Sequence, residues 1–323
     1  MKKSPIRSRS LVDHSWTRSF LALGLVVNVA ANQAPPPRTQ GERNPIVVQG
    51  ERLSEGEARE RASQFVRTTG VASGKTPAAR WVDPVCMEVQ GLEEVGRRAA
   101  EAKMRKVADA AGITVAPAPC KANIVVNFTQ DGAGLARDIH RLDSRRLGQL
   151  SSRARDSVLA SSAPIRWIYS TEVRGRNGEK LIEGGGAGMT APATHDGSGA
   201  GSTLGGDNTM MHYESSIIST LSNRVLTSAI VIVDTDDAIG RRLDALAAYA
   251  ALVAFAEIRN ADAAPDGSIL GMFQSNPPPR DLTPQDTAFL RALYRMPLDR
   301  EAMRHRGQLV NDMTSELATR EDQ

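Results

Sequence analysis

The sequence predicts an α/β (α+β) chain: a mixed sheet around a central buried helix, preceded by a signal peptide and a linker. Three observations lead there. Strand-like and helix-like segments alternate from Arg80 onward. Of the sixteen residues 243–258, fourteen are apolar, and only Asp244 and Glu257 are charged. A helix apolar on every face has to be surrounded by protein. The first 31 residues, finally, have the layout of an export signal.

That signal has a basic stretch up to Arg18, then an apolar run from Phe20 to Ala31 broken only by Gly24 and Asn28. Val29-Ala30-Ala31 offers small residues for cleavage after Ala31. Twelve residues are short for a span of about 30 Å of hydrocarbon but suit a signal peptide. The expected location is therefore periplasmic or secreted, with no stable transmembrane domain after cleavage. The alternative is a retained inner-membrane anchor. Residues 32–52, with Pro35-Pro36-Pro37, read as a flexible linker.

Composition excludes several classes. At 323 residues, 41% hydrophobic and 24% charged, the chain is neither wholly disordered nor a multi-span membrane protein. The net charge of +3 invites a nucleic-acid partner, but position removes it. Residues 1–31 alone carry +4, and the remainder holds 35 basic against 36 acidic residues. Without a basic field, no nucleic-acid partner is expected.

The elements follow in order. Glu55 to Thr69 reads as a charged, peripheral helix, so 53–79 is set apart from a single α/β domain over 80–318. Arg80 to Val89 is a strand interrupted at Pro84. Glu93 to Ala111 is an amphipathic helix with Val95, Ala99, Ala102, Met104 and Val107 inward. Asn123 to Thr129 is a buried strand, and 132–160 holds one or two short basic helices. Ile165 to Arg174 alternates as a half-buried strand. Nine glycines within 184–206 make that stretch a long loop. Ala229 to Asp234 is a further buried strand ahead of the apolar helix. Thr283 to Arg295 carries a capping box, Thr283 with Asp286, and Asp299 to Ala318 forms the last helix.

Few residues offer chemistry. Cys86 and Cys120 are the only cysteines, the number one disulfide requires, and an oxidising compartment favours the bridge over two buried thiols. Gly70-Val71-Ala72-Ser73-Gly74-Lys75-Thr76 resembles a phosphate-binding loop but is one residue short between its glycines and follows a charged helix. Asp234, Asp236 and Asp237 suit either a hard cation or the amino-terminus of the next helix. His140, His195 and His212 lack ligand spacing, and no GxSxG elbow is present. Trp81 and Trp167 read as packing residues. No catalytic, cofactor-binding or metal residues are assigned.

The carboxy-terminal half resembles a zincin metallopeptidase of the matrixin or metzincin kind. Ser268-Ile269-Leu270 resembles the turn beneath the metal in that family, and Leu282-Thr283 through Asp286 to Leu290 and Leu293-Tyr294 resembles its closing helix. The whole chain is also similar to an exported proteobacterial family of unknown function with the same paired cysteines. The zincin resemblance implies a zinc held by two histidines one helical turn apart, with a glutamate between them as base. Between His212 and His305 there is no histidine. Counting back from the turn places the ligands at Leu252-Val253-Ala254-Phe255-Ala256, with a third near Asp262. The implication is a degenerate, metal-free relative that binds an envelope protein or peptide. The alternatives are a hydrolase using Asp234–Asp237, Glu257 or a loop histidine, and a membrane-anchored structural component.

Overall fold

Pro164 lacks an N–H and Pro84 interrupts the first candidate strand; the strands that follow them begin only at Ile165 and Met87. In the computed structural model the described residues are 53–143, 152–160, 163–175, 178, 219–220, 222–260 and 264–319, all within the unit Gly50–Gln323. The expected signal peptide, the linker and the glycine-rich stretch 184–206 lie outside them.

Among the described residues, four strands form one sheet: β1 (Met87–Gln90), β2 (Ile124–Thr129), β3 (Ile165–Gly175) and β4 (Ser222–Asp234). Their order is β1-β2-β4-β3. β1, β2 and β4 run parallel, with Met87 beside Ile124 and Ile124 beside Ala229. β3 lies antiparallel on the far edge of β4, with a bulge at Ser170/Thr171. The chain is thus α/β with a mixed sheet.

β1 is shorter than expected. Upstream of it, only isolated bridges form, Arg80 to Val225 and Val85 to Val115. Cys86 leads into β1 and is bonded to Cys120, 34 residues away. β4 is longer than expected because its first half, with Asn223, Arg224, Thr227 and Ser228, pairs with β3 despite its polar side chains.

Seven helices are described. α1 (Glu55–Thr69) starts on a Ser54–Glu57 capping box and stops at Gly70, whose φ of 66° lies in the left-handed region. The peripheral reading of 53–79 is overturned. Ala62, Phe65 and Val66 enter the main core together with Val71, Ala78 and Ala79. Phe65 lies 4.8 Å from Phe289 between ring centroids. Four small or apolar positions on one face suffice for close packing onto the last helix, so the six charged residues among the fifteen of α1 mislead.

α2 (Glu94–Ala111) buries Ala100, Met104, Val107, Ala108 and Ala111. Met104 and Val107 face inward as expected, whereas Val95, Ala99 and Ala102 are exposed and Ala100, Ala108 and Ala111 complete the buried stripe. α3 (Gly132–Leu142) and α4 (Ser152–Ala160) cover the other sheet face, where Ala136, Val158, Ile168 and Ile232 cluster. That cover explains a further difference. Ile165 to Tyr169 is buried on both faces of β3 and not on one.

α5 (Leu243–Phe255) is the central helix, and every residue from Ala245 to Phe255 is buried. It packs on β3, β4, α2, the 3-10 turn Ile269–Gly271 and α6 (Pro284–Arg295). α6 has the expected Thr283–Asp286 capping box. α7 (Ala302–Thr319) begins three residues later than expected and lies on α1 and α6. No helix of the described residues is long and apolar enough to cross a membrane.

Candidate functional site

The carboxyl end of α5 is where the zincin resemblance would put a metal, so its surroundings decide the chemistry available. A buried helix end leaves carbonyls that need donors. Here aromatic side chains from three separate segments supply them. Trp81 Nε1–H donates to Ala254 O at 2.8 Å, and Tyr294 Oη to Phe255 O at 2.8 Å. Tyr169 Oη lies 2.6 Å from Val253 O and 2.8 Å from Ala256 O, sharing its one proton between them. It also accepts the Ile258 N–H at 3.2 Å, and Trp167 Nε1–H reaches Ile258 O at 2.8 Å. Burial pushes the Tyr169 hydroxyl well above the ordinary phenol range, so it stays protonated.

Leu252, Val253, Ala254, Phe255 and Ala256 are all 0% exposed. Apolar side chains cannot ligate zinc, and the backbone there is already satisfied. The residues do not fit the metal that the resemblance implies. Asp262 lies outside the described residues. Among the described residues, no group of three or more His, Cys, Asp or Glu side chains could hold a metal ion.

One step beyond the helix, Glu257 anchors a buried ion cluster. Arg224 grips both of its oxygens, Nη1 at 2.6 Å and Nη2 at 3.0 Å, and Arg259 Nη2 adds a contact at 3.1 Å. Arg224 also donates to Pro77 O and Thr171 Oγ1. Burial alone would raise the Glu257 carboxyl, but the two guanidiniums outweigh it and hold it below the usual range. A carboxylate so committed ties β4 to the segment that follows α5, with both of its oxygens engaged by guanidiniums.

Two residues of the family resemblance do meet. Ser268 Oγ donates to Asp286 Oδ1 at 2.5 Å, and Ile269 N–H to Asp286 Oδ2 at 2.9 Å. Thr283 adds its N–H and its hydroxyl at 2.9 and 2.8 Å. Asp286 therefore staples the 3-10 turn to the start of α6, and burial raises its carboxyl above the ordinary value.

The aspartates after β4 do neither thing expected of them. Asp234 accepts N–H groups from Gly132 (2.8 Å), Asp236 (3.2 Å) and Asp237 (3.4 Å). It therefore takes the first N–H of α3, whose N-cap is Asp131, and closes its own turn, whereas α5 has Arg242 at its N-cap with no side-chain bond. Gly132 is required there. A Cβ would stand 2.5 Å from Arg166 Nη1 and 3.0 Å from Asp234 Oδ2. Asp236 and Asp237 are exposed.

The phosphate-loop lookalike fails on geometry. Ala72 and Gly74 present carbonyls, which accept from Arg306 Nη1 at 2.8 and 3.0 Å, and no helix follows until α2. His140 sits half-buried in α3, while His195 and His212 lie outside the described residues. The capping roles of Trp81, Tyr169 and Tyr294 escaped sequence reasoning, since each spans at least 39 positions.

Among the described residues, β3 is the last strand on its side of the sheet. Asp234 N–H bonds to Pro164 O, so in the alternating antiparallel pattern Arg166 and Ile168 also bond toward β4. Ile165, Trp167 and Tyr169 must turn their backbone groups the other way. Among the described residues, no strand lies beyond β3. No family model, no curated protein and no solved structure matches this chain.

Proposed function

We propose that this chain is a non-catalytic exported protein that binds an extended peptide or protein partner on a degenerate, zincin-like α/β scaffold. The observation that carries the reading is the outer edge of β3, where three residues direct N–H and C=O groups outward. An extended segment adding itself there would gain main-chain hydrogen bonds in the manner of strand addition. Two further observations support it. The helix end that would hold zinc is filled by apolar side chains. The acids considered for hydrolysis, Asp234 and Glu257, are engaged by backbone amides and guanidiniums respectively.

The test uses the chain beginning at Asn32, purified without chelators. Zinc is measured per chain, and a library of extended peptides is titrated with hydrogen exchange as the readout. The expected result is zinc well below one equivalent and a binder that slows exchange at Ile165, Trp167 and Tyr169. Turnover of a substrate, a full equivalent of zinc, the absence of any binder, or protection elsewhere in the molecule would each overturn the reading.

A further inference from the structure

His305 is fully buried, and both ring nitrogens are engaged. Nδ1 accepts the Ala78 N–H at 3.1 Å, and Nε2 stands 3.0 Å from Pro297 O, which only a donor can satisfy. The ring is therefore the neutral, Nε2-protonated form. A second proton would have to sit on Nδ1, facing the Ala78 N–H. Protonation and the Ala78 bond exclude one another.

That bond closes a strap. Residues 72–80 are held to β4 by Arg80 O, which accepts the Leu226 N–H at 3.0 Å, and by Pro77 O, which accepts from Arg224. They are held to α7 through Ala72 O and Gly74 O on Arg306, and through Ala78 on His305. Arg80 reaches the carbonyls of Leu293 and Tyr294 at the end of α6. The turn ahead of α7 also holds the lead-in to β4, since Thr220 N–H bonds to Asp299 O at 2.9 Å. One imidazole thus sits where the strap, α7 and the turn before it converge.

We infer that His305 is an acid-operated latch, whose protonation frees Ala78 and lets residues 76–80 part from α7 while the sheet stays folded. Charged groups set the threshold from each side. Burial is the largest influence and lowers the value, the bond to the Pro297 carbonyl raises it, Arg300 in the turn and Arg80 on the strap oppose a further positive charge, and Asp299 favours it. Together they bring the ring down to about 4. Arg306, next along α7, keeps its bonds to the carbonyls of Ala72 and Gly74 and so confines the release to residues 76–80.

The experiment is native-state hydrogen exchange on the full chain at pH 7 and pH 4, corrected for intrinsic rates, beside His305→Gln. Glutamine can accept from Ala78 and donate to Pro297 but does not titrate. In the wild type, protection at residues 76–80 and the first turn of α7 should fall by roughly 100-fold at pH 4, with β2 and β4 unchanged. In His305→Gln it should stay level. Unchanged wild-type protection, an equal fall in the sheet, or the same fall in the variant would overturn the latch. If the variant does not fold, the wild-type His305 ring and Ala78 amide are titrated by NMR. A shared midpoint near pH 4 supports the latch, and separate midpoints exclude it.

Discussion

The Tyr169 hydroxyl, on the edge strand, stands 2.8 Å from the carbonyl of Ala256, the residue that ends the buried helix α5. It reaches Val253 O and the Ile258 N–H from the same position. One side chain thus serves three backbone groups that have no access to water. The sheet edge and the helix end are fixed to each other through it.

Replacing Tyr169 with Phe keeps the ring and removes that oxygen. Buried backbone groups left without partners cost about 1–3 kcal/mol. The Tyr169→Phe variant should show a lower urea midpoint by a matching amount, with an unchanged denaturant slope. A midpoint within error of the wild type would mean that water enters the helix end.

Local signals explain what was legible before the structure. Thr283 and Asp286 announced α6 by their spacing, and the all-apolar run 243–258 announced a surrounded helix. The two cysteines announced their own pairing. Long-range relationships were silent. Nothing near Trp81 points to Ala254, 173 positions away, and nothing near His305 points to Ala78. α1 misled because alanines at 58 and 62 pack closely without a strong apolar pattern. Asp234 misled because its partner amide belongs to the helix that follows β2 and not to the one that follows β4.

The Arg224–Glu257 pair yields a second prediction, in which single and paired changes diverge. Glu257→Gln leaves two guanidiniums beside a neutral group in a buried site, where breaking a pair costs about 3–5 kcal/mol. Arg224→Met combined with Glu257→Leu removes both buried partners and should cost far less than the sum of the single changes. A double-mutant cycle by urea denaturation measures the difference. Strict additivity would show that the two side chains act independently.

The Cys86–Cys120 bond closes a loop across β1, α2 and the approach to β2. On the chain-entropy relation, a loop of 34 residues stabilises the fold by about 4 kcal/mol. The double variant Cys86→Ala, Cys120→Ala should lose an amount of that order, and a reducing agent should do the same to the wild type. The comparison is made by thermal unfolding with and without reductant. If reductant lowers the wild-type midpoint but leaves the double variant unmoved, the effect belongs to the bond.

His305 also makes global stability depend on pH, with a sign that follows from its burial. Its folded-state value lies near 4, against 6.5 for an ordinary histidine. As pH falls below 6.5, the unfolded chain takes up a proton that the folded chain refuses until about pH 4. Stability contributed by the neutral ring is therefore complete above that window and lost progressively through it. Below pH 4 both states are protonated and the loss levels off. The full effect is roughly 3 kcal/mol. Glu257, held below its ordinary range, adds a loss of the same sign in more acid solution, whereas Asp286, held above its own, works in the opposite sense. Urea midpoints of wild type and His305→Gln, measured from pH 7.5 to 4, separate these contributions. The two curves should converge as the pH falls, because only the wild type carries the titrating imidazole. Parallel curves would assign the acid sensitivity to the carboxylates.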